Sequence, residues 1–323
     1  MKALPSSLRQ RATAAFERAG RHRDHLPLAH GRRLEWNDGP ALMGVLNVTP
    51  DSFSDGGIFF DQGRAIERAL ALFEEGAAIV DVGGESTRPS SYGEAQEVSE
   101  QEEIRRVVPV IEQVRRRTER PISVDTRKAA VARAALETGA DLVNDVSAFR
   151  FDRGMAEVVA EAGAGGILMH MRGTDPRTMQ EDTSYPHLVA EIAGELEQGL
   201  DRGAQAGIPA ERLAIDPGLG FGKSPEGNLL LLRHLAAFRS LGVPVVVGAS
   251  RKGFVRRFSG VGEDSSPAER LPGSLACLAA AAAAGASVVR VHDVSDSARF
   301  LRMVSAIRSP APTLARPAGA AAP

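Results

Sequence analysis

Short apolar runs recur along the chain, each ending at a polar residue and each followed by a stretch with apolar positions three or four residues apart. Residues 41–57, ALMGVLNVTPDSFSDGG, set the pattern. The run from Ala41 to Leu46 predicts a buried strand, Asn47 ends it, and Thr49-Pro50-Asp51 with Ser54-Asp55-Gly56-Gly57 is turn chemistry. Ala65, Ile66, Ala69, Leu70, Leu72 and Phe73 then fall on one helical face, which Gly76 closes. The same reading gives eight strand candidates, at residues 41–48, 78–83, 122–125, 142–146, 166–170, 213–216, 243–248 and 287–292. Helical patterns fill the seven gaps and follow the last strand, for example 129–136 before Gly139 and 275–284 before Gly285. Eight strand and helix units predict a parallel sheet closed into a (β/α)8 TIM barrel, one domain over residues 41–308. An open doubly wound sheet is the structural rival, but no G-x-G-x-x-G turn opens its first helix. Residues 1–40 read as an extension, a basic helical arm followed by a short hairpin at 34–39 that plugs one end of the body. Residues 309–323, rich in Ala and Pro, read as a disordered tail.

Length alone, 323 residues, suggests about two domains, but single barrels of about 250 residues are common. With 39 basic and 41 acidic residues the net charge is −2, so no overall field recruits nucleic acid or an anionic membrane, and any anion site is local. The single cysteine, Cys277, sits in a small-residue helical pattern and reads as packing, which leaves no disulfide and no Cys-based metal site. The amino end lacks the apolar core of a secretory signal, and no uncharged apolar run reaches the length of a membrane span. A reduced, cytoplasmic setting is the default. Only Lys2, Lys128, Lys223 and Lys252 are lysines among the basic residues. Three of these follow strand ends closely, where a compact ammonium answers a need that a planar guanidinium does not.

In such a barrel the reacting groups sit where strands run into the following loops. The polar residues at those ends are Asn47, Asp81, Asp125, Asn144, His170, Asp216, Ser250 and His292. Alternation along each strand pairs Val45 with Asn47, Ser123 with Asp125, Asn144 with Val146, Ala214 with Asp216 and Arg290 with His292 on the interior face, and turns Asp145 outward as structural. Closure sets the last strand beside the first, so Arg290 and His292 flank Asn47, with the loop Gly84-Glu85-Ser86-Thr87-Arg88-Pro89 next door. That edge suits a phosphate or diphosphate. Opposite it, Asp125, Asn144, Asp216 and Lys252 suit a flat heterocycle with N–H donors on one edge and a carbonyl or ring nitrogen on another.

Each of these residues also has a plain structural reading. His170 reads equally as a satisfied histidine between Met169 and Met171, Asp216-Pro217-Gly218 as a turn, and Asp81 and Glu85 as braces of the barrel mouth. Arg115-Arg116-Arg117 reads as a solvated helix end. Convergence of the whole set on one rim is what argues for a site.

Eight segments, GVLNVTPDSFSDGG, GGESTRPS, SVDTRK, NDVS, LMHMRGTDPRTMQ, IDPGLGFGKS, GASRKGF and RVHDV, in this order and spacing, closely resemble the dihydropteroate synthase family over about residues 41–308. The resemblance implies a homodimeric (β/α)8 barrel in folate biosynthesis and a sulfonamide target. Its reaction condenses (7,8-dihydropterin-6-yl)methyl diphosphate with 4-aminobenzoate to 7,8-dihydropteroate and diphosphate, with Mg2+. Carried over residue by residue, it implies that Asp125, Asn144, Asp216 and Lys252 hold the pterin, with Val146, Met169, Phe221 and Gly248 shaping its slot. Asn47, Arg290 and His292 would hold the diphosphate, with Asn47 touching Mg2+. Asp51 and Phe53 on one loop, and Thr87, Arg88 and Pro89 on another, would close over the substrates. Asp51, Arg88, Lys252, Arg290 and His292 would carry the catalytic roles. Gly253 departs from the serine that many family members have after this lysine, where it helps receive the aminobenzoate carboxylate. The other readings are a pterin-dependent methyltransferase, which would need a corrinoid and no anion site, and a non-catalytic pterin-binding paralogue, which would show gaps among the anion-site residues.

Overall fold

A computed structural model describes residues 24–37, 39–49, 58–85 and 98–308, so the expected helical arm and carboxyl-terminal tail lie outside the described residues. Eight parallel strands realise the expected units: β3 (Ala41–Asn47), β4 (Ile79–Gly83), β5 (Ile122–Asp125), β6 (Leu142–Asp145), β7 (Gly165–Met169), β8 (Leu213–Asp216), β9 (Val246–Val247) and β10 (Val288–Val291). They lie in the order β8-β7-β6-β5-β4-β3-β10-β9. A parallel bridge between Ile215 and Val245 closes the ring, with the Ile215 amide donating to Pro244 O at 3.0 Å. The seventh barrel strand is shorter than the run of apolar residues from 243 suggests, because the ring closes through Pro244 and Val245.

Helices cover the outside where glycine and serine punctuate the sequence. Ser266 and Glu269 form a reciprocal capping box at Pro267–Ala283, which starts eight residues earlier than its apolar stripe at 275 indicates. Gly139, at φ +122°, ends Ala129–Thr138 with its amide on Ala135 and Leu136 carbonyls. Gly253–Ser259 is an additional helix in the last long connection.

The hairpin is present, but not at 34–39. Its strands are β1 (His25–Pro27) and β2 (Arg33–Glu35), antiparallel, with the reversal at Ala29–Gly31. Leu26, Leu28 and Leu34 are buried against Met43, Ile79, Leu142, Ile167, Ala214, Val246 and Val288, the inward residues at the amino ends of the strands. Each fully buried leucine stabilises by roughly 1.5–3 kcal/mol, so this plug seals the floor of the barrel. Asp141, wholly buried, locks it in place by accepting from Arg32 at 2.9 Å, Arg115 at 2.6 Å and the Ile122 amide at 2.9 Å. Arg115 is therefore not part of a solvated helix end. Arg116 and Arg117, which pair with Glu112 and Glu67 at the surface, are.

Inward positions change character along the strands. The floor is apolar, and two residues further on the same face come Asp81, Asn144, Asp216 and Arg290, with Asn47, Asp125, Val146 and His292 near the rim. Asp145 points outward and caps the next turn, accepting from the Ser147 and Phe149 amides at 2.8 and 2.7 Å.

Candidate active site at the barrel mouth

Register sets the rim. Asn47 pairs with Gly83, Gly83 with Asp125, and Asp125 with Asn144, so an amide, a carboxylate and a second amide stand in a row with the one missing side chain between the first two. A Cβ added at Gly83 would lie 3.6 Å from Asp125 Oδ2 and 3.8 Å from Asn47 Oδ1. Across the ring Met169 pairs with Asp216.

Arg290 does not stand free at the anion edge. Its Nε donates to Asp81 Oδ2 at 2.7 Å and its Nη2 to Asp125 Oδ2 at 2.6 Å, which uses two of the five guanidinium donors. Asn144 Nδ2 donates to the same Asp81 Oδ2 at 3.0 Å. These bonds chain together residues from β4, β5, β6 and β10. The paired carboxylates hold the Arg290 guanidinium well above its usual range despite its burial. Burial pushes the Asp125 carboxyl up to about 7, against Arg290 and with help from Asp81.

The opposite wall is formed by Asp216 and Lys252. Burial raises the Asp216 carboxyl, opposed by Lys252 and by the Gly218 amide, which donates to its Oδ1 at 2.7 Å. Asp216 is thus both a turn residue and an interior carboxylate. The Lys252 ammonium donates to Leu219 O and stands 4.4 Å from the Phe221 ring centroid, a cation–π contact. Burial lowers it to about 8, with Asp216 pulling the other way. Val146, Met169, Met171 and Met179 pack as one apolar group with Phe221 against it, a flexible lining suited to a flat ring. Gly248 leaves room beside Arg290, whose Cβ lies 3.6 Å from where a Cβ of residue 248 would stand.

His292 rests on Ser250, with Nδ1 3.1 Å from its hydroxyl, and the hydroxyl accepts from the His292 amide at 3.2 Å. The structure thus brings Asn47, Asp125, Asn144, Val146, Met169, Asp216, Phe221, Gly248, Lys252, Arg290 and His292 to one mouth. Asp51, Phe53, Thr87, Arg88 and Pro89 lie outside the described residues.

For three residues that the sequence singles out, the partners are visible only in the structure. Asp81 reaches into the site rather than bracing its edge. Lys223 Nζ is buried against His170 Nδ1 at 2.8 Å, His170 O at 3.0 Å and Gly218 O at 2.8 Å. Lys128 Nζ gathers Glu85 Oε2, Glu103 Oε2 and Val98 O at 3.0, 2.6 and 2.6 Å. The rarity of lysine in this arginine-rich chain already marks the last two, and each meets three acceptors. His170, held down to about 4 by burial and by Lys223, is a neutral structural histidine at the end of β7.

Residues 43–292 match the family model described as pterin binding enzyme. The chain is 45% identical over 281 residues to the dihydropteroate synthase of Escherichia coli strain K12, covering 87% of this chain and 96% of that protein. A solved structure of Xanthomonas albilineans dihydropteroate synthase with 4-aminobenzoic acid superposes with a TM-score of 0.79 at 42% identity, over 88% of this chain and 99% of that one. The same enzyme in complex with 7,8-dihydropteroate gives 0.76 at 40% identity, with the same coverage.

Proposed function

The chain belongs to the dihydropteroate synthase family of pterin-binding enzymes, and from that premise we propose how its residues carry out the family's transferase reaction. It joins (7,8-dihydropterin-6-yl)methyl diphosphate to 4-aminobenzoate, giving 7,8-dihydropteroate and diphosphate. The carbon–oxygen bond to diphosphate breaks, a carbon–nitrogen bond forms, and the amine gives up one proton. The observation that supports this reading best is that Asn144, Asp125 and Arg290 meet in one bonded chain at the mouth, so ring reader and anion holder adjoin.

The pterin ring lies among Val146, Met169 and Phe221, with Asp125, Asn144 and Asp216 taking its N–H groups and Lys252 donating to its carbonyl or ring nitrogen. Arg290, His292 and Asn47 receive the diphosphate. Arg290 stabilises the charge that grows on the leaving oxygen, and Arg88 assists in this. The electron-rich dihydropterin spreads the positive charge left on the methylene, Asp51 stabilises it, and the neutral aryl amine attacks. No strong base is required, because the resulting aryl ammonium is acidic. Phe53, Thr87 and Pro89 help exclude water until the amine arrives.

Mg2+ fits this donor set as a lightly held ion. Among the described residues no three His, Cys, Asp or Glu side chains gather as a metal site. A hard cation that keeps its waters and takes substrate phosphate oxygens needs little more than one protein oxygen, which Asn47 Oδ1 at the rim would supply. When bound, Mg2+ supplies neutralisation of the diphosphate charge.

A homodimer and a cytoplasmic location accompany this reading. Leu229, Leu230 and Phe258, exposed on the neighbouring helices Pro225–Arg233 and Gly253–Ser259, are apolar surface suited to a second copy. Among the described residues no helix is long and apolar enough to cross a membrane.

The deciding experiment follows diphosphate release from the pterin substrate by the pure protein, with and without 4-aminobenzoate and with Mg2+ chelated. Release that needs both supports the synthase mechanism. Binding of the pterin without turnover would instead mark a non-catalytic paralogue.

A further inference from the structure

Asp81, on β4, is wholly buried and faces the barrel interior. Its Oδ2 accepts from Asn144 Nδ2 at 3.0 Å and from Arg290 Nε at 2.7 Å, while its Oδ1 has no hydrogen-bond partner among the described residues. One oxygen therefore serves a residue of the ring-reading wall and a residue of the anion edge. A carboxylate in this state only accepts, so Asn144 must turn its N–H toward Asp81 and present its Oδ1 to a ligand. The Nε edge of Arg290 is held in the same way, which leaves its Nη groups to face Asp125 and an incoming anion. None of the reacting atoms needs to touch Asp81 for these two orientations to matter.

We propose that Asp81 is a positioning residue that couples the pterin half of the site to the diphosphate half through the oxygen shared by Asn144 and Arg290. The proposal rests on the reading of the site given above. A diphosphate that draws the Arg290 guanidinium toward itself weakens the Arg290 bond to Asp81. The shared oxygen then turns more fully to Asn144 and fixes its amide for the pterin. By linkage the pterin strengthens diphosphate binding by the same factor. The second oxygen, Oδ1, leaves the carboxylate free to make this adjustment, since no bond among the described residues anchors it.

The test titrates the full chain by calorimetry with 6-hydroxymethylpterin and with inorganic pyrophosphate plus Mg2+, each alone and in the presence of the other. In the wild-type chain the pterin binds at least about five-fold tighter when pyrophosphate is present, within the usual range of coupling between sites. Asp81→Asn keeps the shape but offers one acceptor and one donor. It brings the coupling factor to about one and weakens the pterin alone by about ten-fold, the loss of one charge-assisted hydrogen bond. A change that was only structural would lower both affinities and leave their ratio intact. Coupling that persists in Asp81→Asn would overturn the proposal and shift the link to Asp125. Should that variant not fold, Asn144→Ala decides. Asn144 belongs to the pterin wall, so a change of about three-fold or more in pyrophosphate affinity supports the shared oxygen, and an unchanged affinity overturns it. A wild-type chain that binds neither probe overturns the reading of the site, whereas binding of both without coupling overturns this proposal alone.

Discussion

Nζ of Lys223 lies 2.8 Å from Nδ1 of His170, and the same atom reaches the His170 and Gly218 carbonyl oxygens. Three acceptors match the three donors of one ammonium, although burial works against its charge. The arrangement ties the end of β7 to the turn after β8, which carries Leu219 and Phe221 to Lys252. Lys223→Met keeps the stem and removes the donors, leaving two buried acceptors of His170, its Nδ1 and its carbonyl oxygen, without that donor at about 1–3 kcal/mol each, while Gly218 O keeps the Phe221 amide at 3.1 Å. The variant should lose about 2–5 kcal/mol in urea unfolding and raise KM for the pterin more than it lowers kcat. An unchanged urea midpoint would mean that the brace stores no stability.

The same turn depends on Gly218. Its φ is +68°, and a Cβ there would lie 1.9 Å from His170 O, a backbone atom that cannot swing away. Gly218→Ala should cost about 3 kcal/mol or more, since left-handed strain and overlap with β7 add. Gly63, where an added Cβ meets nothing within 4 Å, is the control position. Gly63→Ala, in the helix Ile58–Glu75, should be neutral or stabilising by up to about 1 kcal/mol. Equal stability of the two variants would show that the turn relaxes around the extra carbon.

Much of this architecture is legible in the sequence because strand alternation is a rigid rule. Once β3 and β10 are recognised, Asn47, Arg290 and His292 must share a face, and the register bears this out. Boundaries are less legible where the ring closes through an isolated bridge, as at Pro244 and Val245, or where Ser266 starts a helix ahead of its apolar stripe. The hairpin lies earlier than the turn-like Trp36-Asn37-Asp38-Gly39 suggests, because the chain reverses at Ala29–Gly31. Partner choice was not legible at all. Nothing in one dimension says that Asp81, Asp125 and Arg290 meet, since they are brought together by barrel closure across 209 and 165 positions. The lysine pattern did carry information. Lys128 and Lys223 each sit amid three acceptors, which match the three donors of one compact ammonium.

Lys252 and Arg88 should separate in kinetics. Lys252 holds the ring, so Lys252→Ala should raise the dissociation constant of 6-hydroxymethylpterin by about ten-fold or more, the loss of a charged hydrogen bond. Arg88 acts on the leaving group in the proposed mechanism, so Arg88→Ala should lower kcat by about 100-fold with little change in pterin affinity. Saturating turnover at the wild-type rate in Arg88→Ala would remove it from the mechanism.

Gly253 opens the helix Gly253–Ser259 directly after Lys252, which has extended backbone at φ −73° and ψ 154°. A hydroxyl at this position adds a donor for the carboxylate of 4-aminobenzoate. Gly253→Ser should lower KM for 4-aminobenzoate by roughly five-fold, the worth of one ordinary hydrogen bond, and tighten sulfonamide inhibition less, because a sulfonamide lacks the carboxylate. Inhibition constants and KM that both stay put would place the carboxylate elsewhere.

Burial gives the pterin wall two opposed titrations. It pushes Asp125 up to about 7 and brings Lys252 down to about 8. Asp125 must be a carboxylate to accept from the pterin N–H groups, so affinity falls as pH drops through the Asp125 value and the acid turns a proton toward the ligand. Lys252 binds best as an ammonium, so affinity also falls as pH rises through the Lys252 value. Binding of 6-hydroxymethylpterin should therefore be tightest between these two values, with limbs that steepen toward ten-fold per pH unit on either side. Calorimetry from about pH 5.5 to about pH 9.5 measures both limbs. Asp125→Asn should flatten the acid limb alone and Lys252→Met the alkaline limb alone. A limb that survives removal of its residue belongs to another group, and a profile without limbs would mean that neither charge is used in holding the ring.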